Sequence, residues 1–375
     1  MKKCMEFIKR ETILCIAILL AVISSCFVLP DKKYISYIDV RTMAILFCLM
    51  VVVAGFQKIG VFRMIARNLL QKVTGGCQLI VILVFLCFFF SMLITNDVAL
   101  ITFVPLGIQV LGMMGEEKKQ KLLIPVVVLQ TIAANLGSML TPIGNPQNLY
   151  LYARANMGGM EFICLMFPYS LVSLVVLLIW CIATGRKSGK GSVQIDAEEI
   201  YLDKKELVGW SVLFCLCILA VAGVVHYSVT FIVVVVGVFA IDRKIFCKVD
   251  YALLGTFAGF FIFIGNVGRM EEFCRVLETV IDGNEVITAA VASQVISNVP
   301  AALLLSGFTE DIKSLVIGTN LGGLGTLIAS MASLISFRYI GAEDKDKRFS
   351  YLKYFTVANV FFFAVLFAFY KSGIV

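Results

Sequence analysis

The sequence predicts an all-α polytopic membrane protein of two inverted-topology repeats. Each repeat holds a re-entrant helical hairpin and a discontinuous transmembrane helix. Three observations lead there: the composition, two apolar runs broken at their middles, and a set of polar landmarks that occurs twice. Of 375 residues, 60% are hydrophobic and 15% charged, and the mean hydropathy is +0.96. Soluble chains average nearer half apolar and about a quarter charged. The longest stretch able to stand outside a bilayer, residues 186–206, falls short of the roughly 50 residues a soluble domain needs. A soluble enzyme is excluded, and the chemistry belongs in or across the membrane.

Lys2, Lys3, Lys9 and Arg10 precede an apolar run at 12–29 that no small-x-small cleavage site closes. Segment 1–37 therefore reads as an uncleaved first helix with a cytoplasmic start. The first repeat spans 38–185, with apolar runs at 42–56, 76–113, 122–153 and 162–185. About 20 helical residues cross a bilayer, whereas 76–113 would form a helix of roughly 57 Å. Thr95-Asn96-Asp97 interrupts that run midway, which predicts a hairpin. In 122–153, Pro142 and Pro146 remove backbone donors and predict a broken helix. A cytoplasmic linker follows at 186–206, then connecting helices within 207–248. The second repeat spans 249–340, with a run at 251–267, a hairpin at 286–307 and a broken helix at 314–337. Ser297-Asn298-Val299-Pro300 interrupts the second hairpin, although on length alone 286–307 also fits a single crossing. Segment 341–375 supplies the last transmembrane helix. Such breaks are tolerated at membrane depth only where the backbone is buried in protein or lines a polar cavity.

The landmarks recur in order. Asp39 and Asp250 each precede an apolar run, and Ser91-x-x-x-Thr95-Asn96 matches Ser293-x-x-x-Ser297-Asn298. Downstream, residues 134–148 (ANLGSMLTPIGNPQN) align with 319–333 (TNLGGLGTLIASMAS). The two share Asn135/Asn320, Leu136/Leu321, Gly137/Gly322, Thr141/Thr326 and Ile143/Ile328. Three landmarks in one order indicate an internal duplication. Loop charge then orients the halves. The loop at 57–75 carries Lys58, Arg63, Arg67 and Lys72 without an acid, and so reads as cytoplasmic. Its counterpart at 268–285 carries two bases against five acids and reads as external. Equivalent segments ending on opposite sides are what inversion requires.

Several chemistries drop out. The net charge of +7 is scattered over short loops, as a cytoplasmic basic excess requires, so it implies no nucleic-acid partner. The twelve cysteines lie mostly in apolar runs, form no Cys-x-x-Cys pair, and accompany a single histidine, His226. That spacing argues against a metal centre. An intramembrane enzyme would need a nucleophile–base pair or a metal site, which one loop histidine does not supply. A nucleotide-driven pump would need a Gly-x-x-x-x-Gly-Lys-Ser/Thr loop, and the sequence has none.

The tip motifs, together with Gly137-x-x-x-Thr141-Pro142-Ile143-Gly144-Asn145-Pro146-x-Asn148, resemble the ion transporter superfamily. That group includes citrate-transporter-like permeases, divalent anion/sodium symporters, arsenite permeases and a branch of sodium/proton antiporters. The likeness covers roughly 38–160 and 249–340. It implies a bacterial inner-membrane permease, multi-pass, with a small-anion substrate and surrounding lipid as its partners. In the symporter branch the tips read Ser-Asn-Thr and bind sodium and the substrate carboxylate. Position by position, these become Thr95, Asn96 and Asp97, and Ser297, Asn298 and Val299. Asp97 and Val299 depart from that pattern, and Asn96-Asp97 is also similar to the arsenite-permease branch. Symporter-type relatives are dimers, which leaves a homodimer open here; no interface is legible in the sequence.

Physics supports transport independently of the family. Broken helices expose carbonyls that replace a cation's water, and N-termini that hold an anion. Gly137, Gly144, Gly322, Gly323 and Gly325 permit unusual backbone and close approach; the plainer alternative is tight helix packing. Asn145, Gln147 and Asn148 offer side-chain amides or cap the following half-helix. Thr141 and Thr326 are expected to meet near the midplane, each beside a tip asparagine. No lysine or arginine lies inside these motifs, Arg154 being the nearest. An anion would therefore depend on helix ends, amides, hydroxyls and a co-bound sodium or proton; no other cofactor is implied. The resemblance to the symporter branch implies that a sodium ion would sit at Thr95, Asn96, Ser297 and Asn298. Asp97, the one acid in the middle of any apolar run, reads either as an ion carrier or as a cap for the half-helix 98–113. The functional expectation is a secondary transporter of a small anion, with a sodium/proton antiporter or an arsenite-type permease as alternatives.

Overall fold

The computed structural model describes residues 11–73, 75–186 and 202–373. The basic N-terminus and residues 187–201 of the linker lie outside the described residues. Among the described residues every regular element is a helix. Helix α1 (Thr12–Phe27) and the single turn α2 (Tyr34–Tyr37) lead into α3 (Val40–Ile59). Asp39 starts α3 by accepting the Thr42 amide at 3.0 Å, and Gly60 stops it with a left-handed φ of 82°, the terminal chemistry expected of Asp and Gly. Next come α4 (Val61–Leu70), α5 (Gly76–Ile94), α6 (Asn96–Met113), α7 (Glu116–Ser138), α8 (Pro146–Ala155) and α9 (Gly159–Arg186). After the linker run α10 (Lys204–Val221), α11 (Tyr227–Asp242), α12 (Tyr251–Val267) and α13 (Glu271–Ile281). The chain closes with α14 (Glu285–Ile296), α15 (Asn298–Leu305), α16 (Ile312–Gly322), α17 (Met331–Glu343) and α18 (Lys347–Lys371). Asp250 caps α12 through the Leu253 amide, also at 3.0 Å, as Asp39 caps α3. His226 caps α11, its Nδ1 accepting the Ser228 amide at 3.3 Å.

Six of these helices (α3, α5, α6, α7, α9 and α18) are long and apolar enough to cross a membrane, or seven spans if the bent pair α12–α13 counts as one. This is a multi-pass membrane protein.

Two segments differ from the sequence expectation. The stretches 57–75 and 268–285, read there as loops, hold α4 and α13. In α4 Phe62, Ala66 and Leu70 are buried while Arg63 is exposed. In α13 Phe273, Val276, Leu277 and Val280 share one side, opposite Glu271, Glu272, Arg275 and Glu278. These apolar residues recur at helical spacing, but the charges between them break the hydropathy average and hid the period. Helix α13 leaves α12 at 106°.

Packing divides the molecule without separating it. Helix α3 packs on α10 and α11, and α12 on α1. Gly55 of α3 lies under Trp210, where a Cβ would stand 2.4 Å from the ring. Helices α5, α6 and α7 pack mutually, as do α14, α15 and α16. The second halves of the broken helices are exchanged: α8 packs on α15 and α16, and α17 on α6 and α7. Ion pairs gather the loops into two ends. Arg269–Asp31 (3.0 Å) and Lys313–Glu161 (2.6 Å) lie where α3 begins, and Lys58–Asp242 lies where it finishes.

Candidate functional site

Each hairpin breaks at one residue with the same unusual backbone. Thr95 has φ 75° and ψ 151°, and Ser297 has φ 74° and ψ 155°. Residues with a Cβ pay about 1–3 kcal/mol for this region and hold it only where the surroundings enforce it. The enforcing contact is also duplicated. The Asn96 amide donates to the Gly144 carbonyl at 3.2 Å, and the Asn298 amide to the Ala329 carbonyl at 3.0 Å. Each tip is thereby pinned to the helix break that follows it in its own half of the chain. In those breaks Asn145 (φ −143°, ψ 147°) and Ser330 (φ −140°, ψ 136°) hold matching extended backbones just before α8 and α17.

Two asparagines of the shared Asn-Leu-Gly motif join the halves. Asn135 Oδ1 accepts from Asn96 Nδ2 and from Ser330 Oγ, both at 3.0 Å, while Asn135 Nδ2 donates to the Gly323 carbonyl at 3.3 Å. Asn320 Nδ2 donates to Asn148 Oδ1 at 2.7 Å, and Asn320 Oδ1 accepts from Asn145 Nδ2 at 3.5 Å. The structure thus unites Asn96, Asn145 and Asn148 through residues the sequence had marked only as repeat landmarks. Gln294 is a further participant. Its Nε2 donates to the carbonyls of Gly322 (2.8 Å) and Leu324 (2.9 Å), and its Oε1 accepts the Thr326 amide at 2.8 Å. Its register with Met92 was the available signal: Thr141 Oγ1 donates to the Met92 carbonyl, and Thr326 Oγ1 to the Gln294 carbonyl at 3.1 Å.

The two threonines therefore clasp hairpin to broken helix, each within its own half of the chain. Thr326 is exposed and lines an outer, largely apolar cavity beside Leu352, Val360 and Phe363. Gly137 and Gly322 serve close crossing: a Cβ would meet Phe88 O at 1.9 Å at Gly137 and Ser293 Oγ at 2.6 Å at Gly322. Gly144 is equally confined, 2.1 Å from Ser138 O by the same construction. Asn148 Nδ2 closes the first break on the carbonyls of Ser138 and Thr141, both at 3.2 Å. Pro146 opens α8 at its first turn. Arg154 Nε donates to the Ser306 carbonyl at 2.9 Å, beside a Tyr150–Ser306 hydroxyl pair at 2.9 Å.

Some polar atoms at this junction are left over. Asp97 Oδ1, Asn145 Oδ1 and Gln147 Nε2 are buried without a hydrogen-bond partner. Thr95, Asn145 and Pro146 line a cavity of about 30 Å³, whose other walls include Leu46, Met50 and Val53 of α3. That volume suits one water or a bare ion, not a carboxylate substrate. Thr95, Ser297, Asn145 and Ser330 precede four helices, and none of the four helices carries a side-chain cap. By contrast Asp39, Asp203, His226, Asp250 and Asp311 cap their helices with side chains. The Asn96 and Asn298 amides are taken by carbonyls and the Asp97 amide by Asn96 Oδ1 at 2.9 Å, so what these ends turn toward the junction is chiefly their partial positive charge.

Crossed helix breaks with free polar atoms at their meeting point, in a polytopic helical protein, are an arrangement suited to membrane transport, and its family and relatives identify the chain as a membrane transporter. The profile of the citrate transporter family matches residues 4–312, and the chain belongs to that family; it is not an enzyme. An uncharacterized transporter of Methanocaldococcus jannaschii is 33% identical over 314 residues, 83% of this chain and 84% of the relative. Inner membrane protein YbiR of Escherichia coli is 31% identical over 316 residues, 82% of each chain. A silicon efflux transporter of Oryza sativa subsp. japonica is 28% identical over 153 residues, 40% of this chain and 30% of that protein.

Proposed function

We propose that the protein is a secondary active transporter that moves a small anion, a carboxylate or an inorganic oxyanion, with sodium or protons. The observation that carries this reading is the set of four uncapped helix N-termini at the crossed breaks. Such ends hold anions without a fixed cation, and no lysine or arginine lies inside the motifs. Thr95, Asn96, Ser297 and Asn298 are proposed to hold sodium, with Asn145 Oδ1 as a further oxygen beside the 30 Å³ cavity. A second reading, sodium/proton antiport, is favoured by the unpartnered carboxylate oxygen of Asp97. The partial similarity to a silicon efflux transporter supports an inorganic solute as one candidate class, and the Asn96-Asp97 pair, similar to the arsenite-permease branch, adds arsenite to the test. The test is uptake into proteoliposomes of labelled citrate, other carboxylates and arsenite, each with and without sodium and a pH gradient. Saturable anion uptake driven by either gradient is expected. Proton flux driven by sodium with no anion uptake would select antiport instead.

We further propose that the two halves are inverted repeats, their hairpins entering from opposite faces of a cell inner membrane. The N-terminus and loops 57–75, 186–206 and 338–350 are then cytoplasmic, and 268–285 is external. The swapped loop charge supports this, as do the matched tips, breaks and aspartate caps. Single cysteines placed at Lys72 and Glu278 in a cysteine-free background are expected to react with an impermeant maleimide from opposite sides. Labelling of both from one side rules the inversion out. A homodimer remains part of this proposal by resemblance alone.

A further inference from the structure

A cavity of about 420 Å³ opens at the end of the molecule where α3 begins, lined by Ser36, Tyr37, Asp39, Arg41, Tyr150 and Arg154 among others. Its size falls within the roughly 300–1,000 Å³ typical of small-ligand sites. Two guanidinium groups and one carboxylate line it, and the carboxylate is engaged: Asp39 accepts from both the amide and the hydroxyl of Thr42. Among the described residues neither Arg41 nor Arg154 forms an ion pair. Arg154 spends Nε on the Ser306 carbonyl, which fixes the side chain and leaves its two terminal nitrogens without an acceptor among the described residues. Arg41 leans on the turn at Gly223, its Nη2 4.0 Å from where a Cβ would stand.

The plainer explanation is that Arg154 offsets the negative C-terminal end of α8, in whose last turn it lies. That accounts for one charge but not for Arg41, which stands at the beginning of α3, where a helix favours negative charge. Two cations therefore face one cavity although only one of them has a structural reason to be there. The ion pairs at this end each join one base to one acid, Arg269 to Asp31 and Lys313 to Glu161, so the two guanidinium groups stand out as positive charge without an ion-pair partner at the cavity. A charged cleft with low-dielectric walls concentrates ligands of opposite sign.

Helix α8 connects this cavity to the junction. It begins at Asn145 and Pro146 in the first break and presents Tyr150 and Arg154 to the cavity, about 14 Å further along at 1.5 Å per residue. We infer that the Arg41/Arg154 cavity is a vestibule that binds the carboxylate or oxyanion group of the substrate before it reaches the helix breaks. This rests on the anion-transport reading and adds to it the fixed positive charge that the central motifs lack. It also gives the two halves of the site different tasks: guanidinium groups select the sign of the ligand outside, and amide ends hold it within.

The test uses the full chain in phosphatidylcholine proteoliposomes and nanodiscs, with citrate as the probe. Ionic strength is varied with choline chloride so that sodium stays fixed. The double variant Arg41→Gln/Arg154→Gln is expected to raise KM for citrate uptake about tenfold at low salt, with kcat unchanged. It should also flatten the salt dependence, as loss of rim charge does. Arg41→Lys/Arg154→Lys, which keeps the charge, should recover most of the loss. Equilibrium binding of labelled citrate in nanodiscs separates the two proposals. If wild type binds citrate without transporting it and the Gln pair abolishes binding, the vestibule stands and anion transport of citrate falls. If wild type transports citrate and the Gln pair keeps its KM and salt dependence, transport stands and the vestibule falls. If wild type neither binds nor transports citrate or inorganic phosphate, the vestibule falls with the reading it rests on.

Discussion

Asp97→Asn is expected to give a folded protein whose uptake no longer responds to a sodium gradient or to pH. The sequence left two roles for Asp97, ion carrier and helix cap, and the structure bears on the choice. Helix α6 has no side-chain cap, Asp97 Oδ1 is buried without a partner, and the residue forms no ion pair among the described residues. The first-turn position does favour negative charge, but by less than a charge at membrane depth costs, about 2.5–3.5 kcal/mol on insertion scales. A structural role would therefore make the carboxylate a net burden. Asparagine preserves the volume, keeps a carbonyl oxygen where Oδ1 stands and removes the exchangeable charge. Melting temperature should stay at or slightly above the wild-type value. Under the symport reading, solute exchange down its own gradient persists while gradient-driven accumulation drops to background. Under the antiport reading, all ion flux is lost. Uptake that keeps its sodium and pH dependence in this variant would remove Asp97 from the coupling machinery and leave it to hydroxyls, amides and carbonyls.

Much of the fold was legible because its strongest signals are local. The breaks at Thr95 and Ser297 could be read from polar residues inside runs too long or too interrupted to be simple spans. The discontinuities after α7 and α16 could be read from glycine, proline and a repeated Asn-Leu-Gly. The aspartate caps at Asp39 and Asp250 were visible as landmarks before their function as caps was known. What the sequence obscured depended on contacts between segments. Charges within α4 and α13 lowered the hydropathy that would have marked them, although their apolar residues keep helical spacing. Asn135 and Asn320 stood in the duplicated motif, yet only the exchange of α8 and α17 between halves shows that they cross-link two breaks. Thr141 and Thr326 show a role that the sequence did not display. Each hydroxyl donates to a backbone carbonyl, of Met92 and Gln294 respectively, and so clasps its hairpin to its broken helix, a contact between segments that no local pattern encodes.

That clasp makes the second large effect predictable. Gly137→Ala adds one carbon where α7 crosses α5, and the added Cβ would lie 1.9 Å from Phe88 O, 2.7 Å from Phe88 C and 2.6 Å from Ser91 Oγ. The first two are backbone atoms, so no rotamer change relieves the overlap, and α5 itself must move. The cost should reach about 3 kcal/mol or more, the upper part of the range for overpacking, against a helix-propensity gain of up to about 1 kcal/mol for replacing glycine. Gly112→Ala is the matched control. It gains the same propensity in α6 with nothing within 4 Å of the new carbon, so its melting temperature should hold or rise. Gly322→Ala should fall between them, because its nearest neighbours are the Ser293 side-chain atoms at 2.6 and 2.7 Å. In detergent, Gly137→Ala is expected to melt at least about 4 °C below wild type, from a net loss of about 2 kcal/mol at about 2 °C per kcal/mol for a large domain. Because Thr141 and the Asn96–Gly144 contact hang on the same crossing, whatever folded fraction remains should have lost uptake as well. Melting of Gly137→Ala within a degree of Gly112→Ala would mean that α5 and α7 do not approach as closely as the junction requires. The pinning of Thr95 in its left-handed conformation would then need another cause.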